Sequence, residues 1–173
     1  MASKVIFEPD ESLYDLAARV VSLACEKGLA VGTAESCTGG LVAGALTAVP
    51  GSSAAVRGGV VSYAIPVKHE VLGVPYEGLL DVAQIGAVSA ECACAMATGA
   101  RNVLGCDLCV SVTGIAGPGG EEPGKPVGTV WMGLAGAGGV EAYPNLFEGD
   151  REQVRHQAVY RALELLCEAL LNF

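Results

Sequence analysis

The stretch from Leu29 to Ala64 leaves the fold little freedom. "LAVGTA" (29–34) is an apolar run of strand length, "GGLVAGALTAV" reads as a helix, and "VRGGVVSYA" (56–64) reads as a second strand. Strand, helix and strand in that order favour a parallel pair joined by a right-handed crossover. The chain is thereby directed toward an α/β sheet covered by helices.

The flanking segments extend this pattern. In "DESLYDLAARVVSLACEK" (10–27), Leu13, Leu16, Ala17, Val20 and Ala24 recur every three or four residues, the period of a helix with one buried stripe. Asp10 and Glu11 suit its start, and Lys27-Gly28 its end. "PVKHEVLGV" (66–74) reads as a short helix opened by proline, and "SAECACAMATGARNVLG" (89–105) as a longer one. "DLCVSVTG" (107–114) is a third strand that runs into the glycine- and proline-rich loop "IAGPGGEEPGKP". "VGTVWMGLAG" and "GVEAYPNLFEG" suggest a hairpin around Gly136 to Gly139, which makes the sheet mixed. A long amphipathic helix capped by Asp150 closes the chain, with Val154, Ala158, Leu163, Leu165, Leu166 and Leu170 on its apolar positions. The sum is a three-layer α/β/α arrangement in one domain, residues 1–173, with a mixed, mostly parallel sheet.

Several function classes are disfavoured by bulk properties. A net charge of −9 repels phosphate backbones, and no basic run offers a local exception, so nucleic acid is not an expected partner. No apolar stretch reaches the length of about 18 residues that crosses a bilayer, and the N-terminus lacks the apolar region of an export signal. A cytoplasmic protein without membrane contact is the expectation. The seven cysteines are accordingly read as reduced. Cys106 and Cys109 have redox or zinc spacing, but Leu108 and Val110 suggest a buried strand, on which cysteines three apart point to opposite faces. They are read as small core residues, and no metal site is expected.

The chemistry concentrates in two loops. In an open α/β sheet ligands gather beyond the carboxyl ends of strands, where "ESCTGG" follows the first strand and "TGIAGPGG" the third. Neither is a phosphate-loop or dinucleotide fingerprint. Ser36, at a strand-to-helix turn, is placed either to present a nucleophile beside helix amides or to cap the helix. The two histidines, His69 and His156, stand in no triad context, so the candidate base is Lys68, set among Val67, Val71 and Leu72 near a helix start. A neutral Lys68 could take the Ser36 proton, with Tyr63 relaying it or holding the amine. The alternative for this pair is a solvated lysine and a strand tyrosine.

At this point the residues resemble a known family, the C-terminal domain of the competence-damage inducible protein CinA, which also occurs as a stand-alone nicotinamide mononucleotide deamidase. The resemblance covers about residues 10–170 and rests on "TAESCTGG", "GGVVSYAIPVKHEVLGV", "SVTGIAGPGG", "KPVGTVWMGL" and "GDREQVRHQAV", in that order. It implies a three-layer domain with a mixed five-stranded sheet, and an amidohydrolase that converts nicotinamide mononucleotide and water into nicotinate mononucleotide and ammonia. Ser36 would be the nucleophile and Lys68 with Tyr63 its activating pair, with neither metal nor organic cofactor. Helix-start amides around Thr38, Gly39 and Gly40 would hold the oxyanion. The amides from Thr113 through Gly114 and Gly117 to Gly120, together with Arg151 and Arg155, are candidates for the substrate phosphate, the arginines being equally suited to surface ion pairs. Glu35 is placed to accept ribose hydroxyls or to cap the loop. One departure is that family members often carry serine-asparagine after the tyrosine, where this chain has Ala64 and Ile65, followed by Pro66. The rival readings are a nucleotide-binding module without turnover, and a hydrolase with Cys37 as nucleophile. A homo-oligomer is expected from the small size and apolar helix faces.

Overall fold

The computed structural model describes residues 11–173. Five strands, β1 (Val31–Glu35), β2 (Val56–Val61), β3 (Leu108–Gly114), β4 (Thr129–Gly136) and β5 (Gly139–Leu146), form one sheet in the order β2-β1-β3-β4-β5. β1 lies between β2 and β3 and is parallel to both, whereas β4 is antiparallel to β3 and to β5. This is the mixed, five-stranded sheet expected from the sequence. The exposure of the strands follows their position. Every residue of the inner strand β1 is buried, while β2 at one edge alternates half-buried and exposed. Pro144, which cannot donate to a ladder, sits in β5 at the other edge.

Helices cover both faces. On one side α1 (Leu13–Lys27), α2 (Leu41–Thr47) and α5 (Arg151–Leu171) pack over the sheet through Leu16, Val20, Leu46, Leu163, Leu166 and Leu170. On the other side α3 (Ile65–Leu72) and α4 (Ala90–Leu104) enclose Leu72, Met96, Ala100, Cys92 and Cys109. α4 lies so close to β4 that a Cβ on Gly133 would collide with the Ala93 carbonyl oxygen. Each fully buried leucine contributes about 1.5–3 kcal/mol of transfer free energy, so the leucine-rich face of α5 is a major source of cohesion.

Helix ends follow the local chemistry. The Ser12 hydroxyl accepts the Asp15 amide at the start of α1, and Gly28 ends it in the left-handed region at φ 65°. Asp10 lies outside the described residues. Asp150 and Gln153 form a reciprocal capping box on α5. Pro66 falls in the first turn of α3, which begins one residue earlier, at Ile65. α2 differs, because its cap position is Gly40 at φ 100°, which has no side chain to offer.

The CxxC reading needs correction. β3 begins at Leu108, so Cys106 lies in the connection after α4 and does not alternate along a strand with Cys109. No helix among the described residues is long and apolar enough to cross a membrane, and no cluster of three or more metal-ligating side chains occurs among them.

Candidate functional site

The parallel strands β2, β1 and β3 end at Val61, Glu35 and Gly114, and the loops beyond these ends meet at one edge of the sheet. The Ser36 amide donates to the Val112 carbonyl, which extends the β1–β3 ladder by one residue and fixes where the turn begins. Two arginines of α5 hold the surrounding loops. Arg155 donates to the carbonyl oxygens of Cys37 (3.1 Å) and Thr38 (3.0 Å), and Arg151 to that of Gly117 (2.9 Å). Arg151 also reaches the Tyr63 hydroxyl at 3.3 Å. One helix therefore ties the Ser36 turn, the Gly117 loop and the end of β2 together.

Ser36 and Lys68 come together despite lying 32 positions apart. The Lys68 Nζ is 2.9 Å from Ser36 Oγ, and it donates to the carbonyl oxygens of Ser62 (2.6 Å) and Tyr63 (3.2 Å). Lys68 is only 1 % exposed. Burial lowers its pKa below the ordinary 10.5, with the nearby Cys92 and Cys37 sulfurs opposing. No carboxylate among the described residues forms a salt bridge with it, and Glu70, its near neighbour in sequence, is exposed. A neutral amine has two N–H groups and one lone pair. Two carbonyls here occupy the two donors, so the lone pair has the remaining direction, toward the serine.

Glu35 stands elsewhere than at the rim. It is 1 % exposed, and its carboxylate accepts the amides of Gly40 (2.9 Å), Val42 (3.1 Å) and Ala43 (2.8 Å) and the Thr33 hydroxyl (3.1 Å). It is the cap that α2 lacks at Gly40, a buried anion at the positive end of the helix. Two consequences follow. Glu35 has no oxygen turned to a ribose, and the Gly40 amide is already engaged. The Gly39 amide is engaged too, by the Ser36 carbonyl at 3.1 Å. Of the expected oxyanion donors, Gly39 and Gly40 thus serve the turn itself, and the amides nearest Ser36 are those of Cys37 and Thr38. Thr38 is fully buried, and its hydroxyl has no hydrogen-bond partner among the described residues, as is also true of Ser62. Buried hydroxyls without partners are uncommon and costly.

The other expected residues divide similarly. Tyr63 is 61 % exposed, so its contribution to Lys68 is the backbone carbonyl, while its phenol turns to Arg151. Thr113 is buried, with its hydroxyl donated to the Ala87 carbonyl at 2.6 Å, and Gly114 packs against the Thr129 backbone. Both are framework of β3. Gly117 presents its carbonyl to Arg151, whose exposed guanidinium keeps further N–H groups for an anion. Burial pushes the Cys37 thiol up to about 11, so it stays protonated at neutral pH. Beside these residues a cleft of about 650 Å³ opens between α2 and α5, lined by Gly40, Leu41, Gly44, Arg151 and His156 among others.

The sequence profile of the CinA C-terminal domain matches residues 13–170. A CinA-like protein of Anaeromyxobacter sp. (strain K) is 51 % identical over 160 residues, which is 92 % of this chain and 38 % of that relative. One from Geotalea uraniireducens is 47 % identical over 167 residues, 96 % of this chain and 39 % of the relative. The chain therefore spans about two fifths of the length of these relatives. Among solved structures, the competence damage-inducible protein A of Klebsiella pneumoniae superposes with a TM-score of 0.89 at 38 % identity, covering 94 % of this chain and 99 % of that one. A competence/damage inducible protein of Agrobacterium tumefaciens gives 0.86 at 42 % identity, covering 96 % and 99 %. With the profile spanning nearly all of the described residues and the same fold in chains of closely similar length, the protein belongs to the CinA C-terminal domain family.

Proposed function

We propose that the protein is an amidohydrolase of the serine-lysine type that deamidates nicotinamide mononucleotide to nicotinate mononucleotide and ammonia. The observation that carries the reading is the buried Lys68 amine, fixed by two carbonyls and 2.9 Å from Ser36 Oγ. Lys68 takes the Ser36 proton as Oγ attacks the carboxamide carbon, and the oxyanion forms beside the Cys37 and Thr38 amides. The resulting ammonium of Lys68 returns its proton to the departing nitrogen, which leaves as ammonia. A water molecule then gives a proton to Lys68, attacks the acyl-enzyme, and releases the carboxylate with Ser36 restored.

Arg151 is the cation best placed for the substrate phosphate, since it is exposed at the mouth and braced on Gly117 and Tyr63. Arg155 acts indirectly by holding the nucleophile turn. Leu41, Val61 and Tyr63 expose apolar surface at the ends of α2 and β2, where a flat heteroaromatic ring would lie. Tyr63 holds the catalytic amine through its carbonyl and orients Arg151 through its hydroxyl.

The test is ammonia release from nicotinamide mononucleotide by the purified protein. Ser36→Ala should abolish release and leave the melting temperature within a few degrees of wild type, while Cys37→Ala should remain active. The opposite pattern would assign the chemistry to the thiol. Absence of release from the wild type, with the nucleotide still raising its melting temperature, would make the domain a binding module.

A further inference from the structure

We propose that Cys106 and Cys109 form a reversible intramolecular disulfide when the protein meets hydrogen peroxide, a modification site at the opposite end of the strands from Ser36. Gly32 opens the space in which the two sulfurs meet. In the parallel register of β1 and β3, Gly32 is the partner of Cys109. Partners in adjacent strands present their side chains on the same face, with the strands about 4.8 Å apart. Gly32 has no side chain, and the space is shared by Leu104 and Cys106, whose Cδ1 and Sγ would be 2.7 and 2.9 Å from a Cβ built on Gly32. The Cys106 sulfur thus occupies the slot directly beside the Cys109 side chain, and both belong to the same buried cluster.

The connection after α4 delivers it there. α4 ends at Leu104, Gly105 turns the chain in the left-handed region at φ 58°, and the Cys106 amide donates to the Arg101 carbonyl at 3.2 Å. Arg101 itself donates to the Asp107 carbonyl at 3.0 Å, which sets a guanidinium against the same turn. The two thiols behave as a pair. Each S–H lies within reach of a backbone carbonyl, that of Cys106 near Arg101 (4.0 Å) and that of Cys109 near Val110 (3.9 Å), while the neighbouring Cys109 lowers the Cys106 pKa below its ordinary value and the neighbouring Cys106, with burial, raises that of Cys109. Cys106 keeps 5 % of its surface exposed and Cys109 none, so Cys106 is the attacking sulfur and Cys109 the resolving one. Two sulfurs alone do not make a zinc site, and no third ligand joins them among the described residues.

The chemistry balances without a cofactor. The Cys106 thiolate attacks one oxygen of hydrogen peroxide, the O–O bond breaks, and the departing hydroxide takes up the proton released by that thiol to become water. The Cys109 thiol then displaces the hydroxyl of the Cys106 sulfenic acid, and the hydroxyl leaves with the Cys109 proton as a second water. Two thiols are oxidised to one disulfide, and both peroxide oxygens are reduced to water.

Mass spectrometry tests this directly, because the segment between Arg101 and Arg151 contains these two cysteines and no other. After exposure of the folded protein to hydrogen peroxide and quenching in denaturant with iodoacetamide, this segment should lose two hydrogens, resist alkylation at both sulfurs, and recover both with dithiothreitol. Cys109→Ser should leave a Cys106 sulfenic acid that dimedone traps, whereas Cys106→Ser should give no dimedone adduct at Cys109. The proposal is overturned if both sulfurs alkylate fully at a peroxide dose that oxidises the exposed Cys25, or if either one is found bonded to a different cysteine. Ammonia release does not enter this readout, so the outcome is independent of the proposed catalysis.

Discussion

Replacing Glu35 by glutamine changes one oxygen to an NH2 group and almost nothing in volume, yet it should cost the protein a large part of its stability. The two carboxylate oxygens divide their donors, with Oε2 accepting from Gly40 and Val42 and Oε1 from Ala43 and Thr33. A glutamine can keep one of these pairs. Its NH2 then faces two donors, and two N–H groups, or an N–H and a hydroxyl, lose their acceptor in a site that is 1 % exposed. Each such buried orphan costs about 1–3 kcal/mol, so the loss should be on the order of 2–6 kcal/mol, reduced by the relief of no longer burying a charge. That is a substantial fraction of the 5–15 kcal/mol typical of a folded domain. Urea unfolding of Glu35→Gln at neutral pH, followed by far-ultraviolet circular dichroism, measures it. Stability within about 0.5 kcal/mol of wild type, combined with a raised KM for nicotinamide mononucleotide, would refute the capping role and return Glu35 to the substrate.

The remaining predictions concern the lysine and the tyrosine. Because burial lowers the Lys68 pKa below 10.5 in the folded protein, and the base must be neutral, kcat/KM should rise with pH through that lowered value and then level off. Between the lowered value and 10.5 the unfolded chain binds more protons than the folded one, so unfolding free energy should increase with pH in that window, a slope that Lys68→Met removes. Lys68→Arg should be inactive at every pH, since a guanidinium keeps its charge, and ammonia release near the wild-type rate in that variant would remove Lys68 as base. Tyr63→Phe deletes only the hydroxyl at 3.3 Å from Arg151 and leaves the carbonyl on Lys68, so kcat should stay within about tenfold while KM rises. A collapse of kcat with KM unchanged would instead give the phenol a part in proton transfer.

Much of this was legible in the letters because its causes are local. The buried strand β1, the Gly28 stop, the Ser89 and Asp150 caps and the leucine stripe of α5 are each written within a few residues of where they act. Ser36 could be read as a turn serine, and Lys68 as a lysine in apolar company. The direction of Lys68 could not, because the carbonyls of Ser62 and Tyr63 that aim it depend on how β2 hands over to α3. Glu35 was harder, although a signal existed. "GGLVAG" opens a helix with no Ser, Thr, Asp or Asn in the cap position, and a helix without its own cap must borrow an acceptor or leave amides bare. The Cys106–Cys109 pair turned on a boundary. A strand starting at Cys106 would have sent the two sulfurs to opposite faces, whereas a start at Leu108 frees Cys106 to fold over Gly32.

The cap and the base are two halves of one electrostatic arrangement. Glu35 adjoins Ser36 in sequence, and its field, like that of Lys68, reaches the Cys37 thiol. A carboxylate left loose in that space would pair with the lysine and raise its pKa, which would keep the amine protonated and useless as a base. The amides of Gly40, Val42 and Ala43 and the Thr33 hydroxyl prevent this by engaging both oxygens. Lys68 then meets neutral oxygens, whose partial charges satisfy its N–H groups without fixing a third proton on it. On the proposed mechanism the turn "ESCTGG" needs its glutamate for a reason remote from substrate contact, in that it caps the helix that follows Ser36 while keeping its own charge from silencing the proposed base.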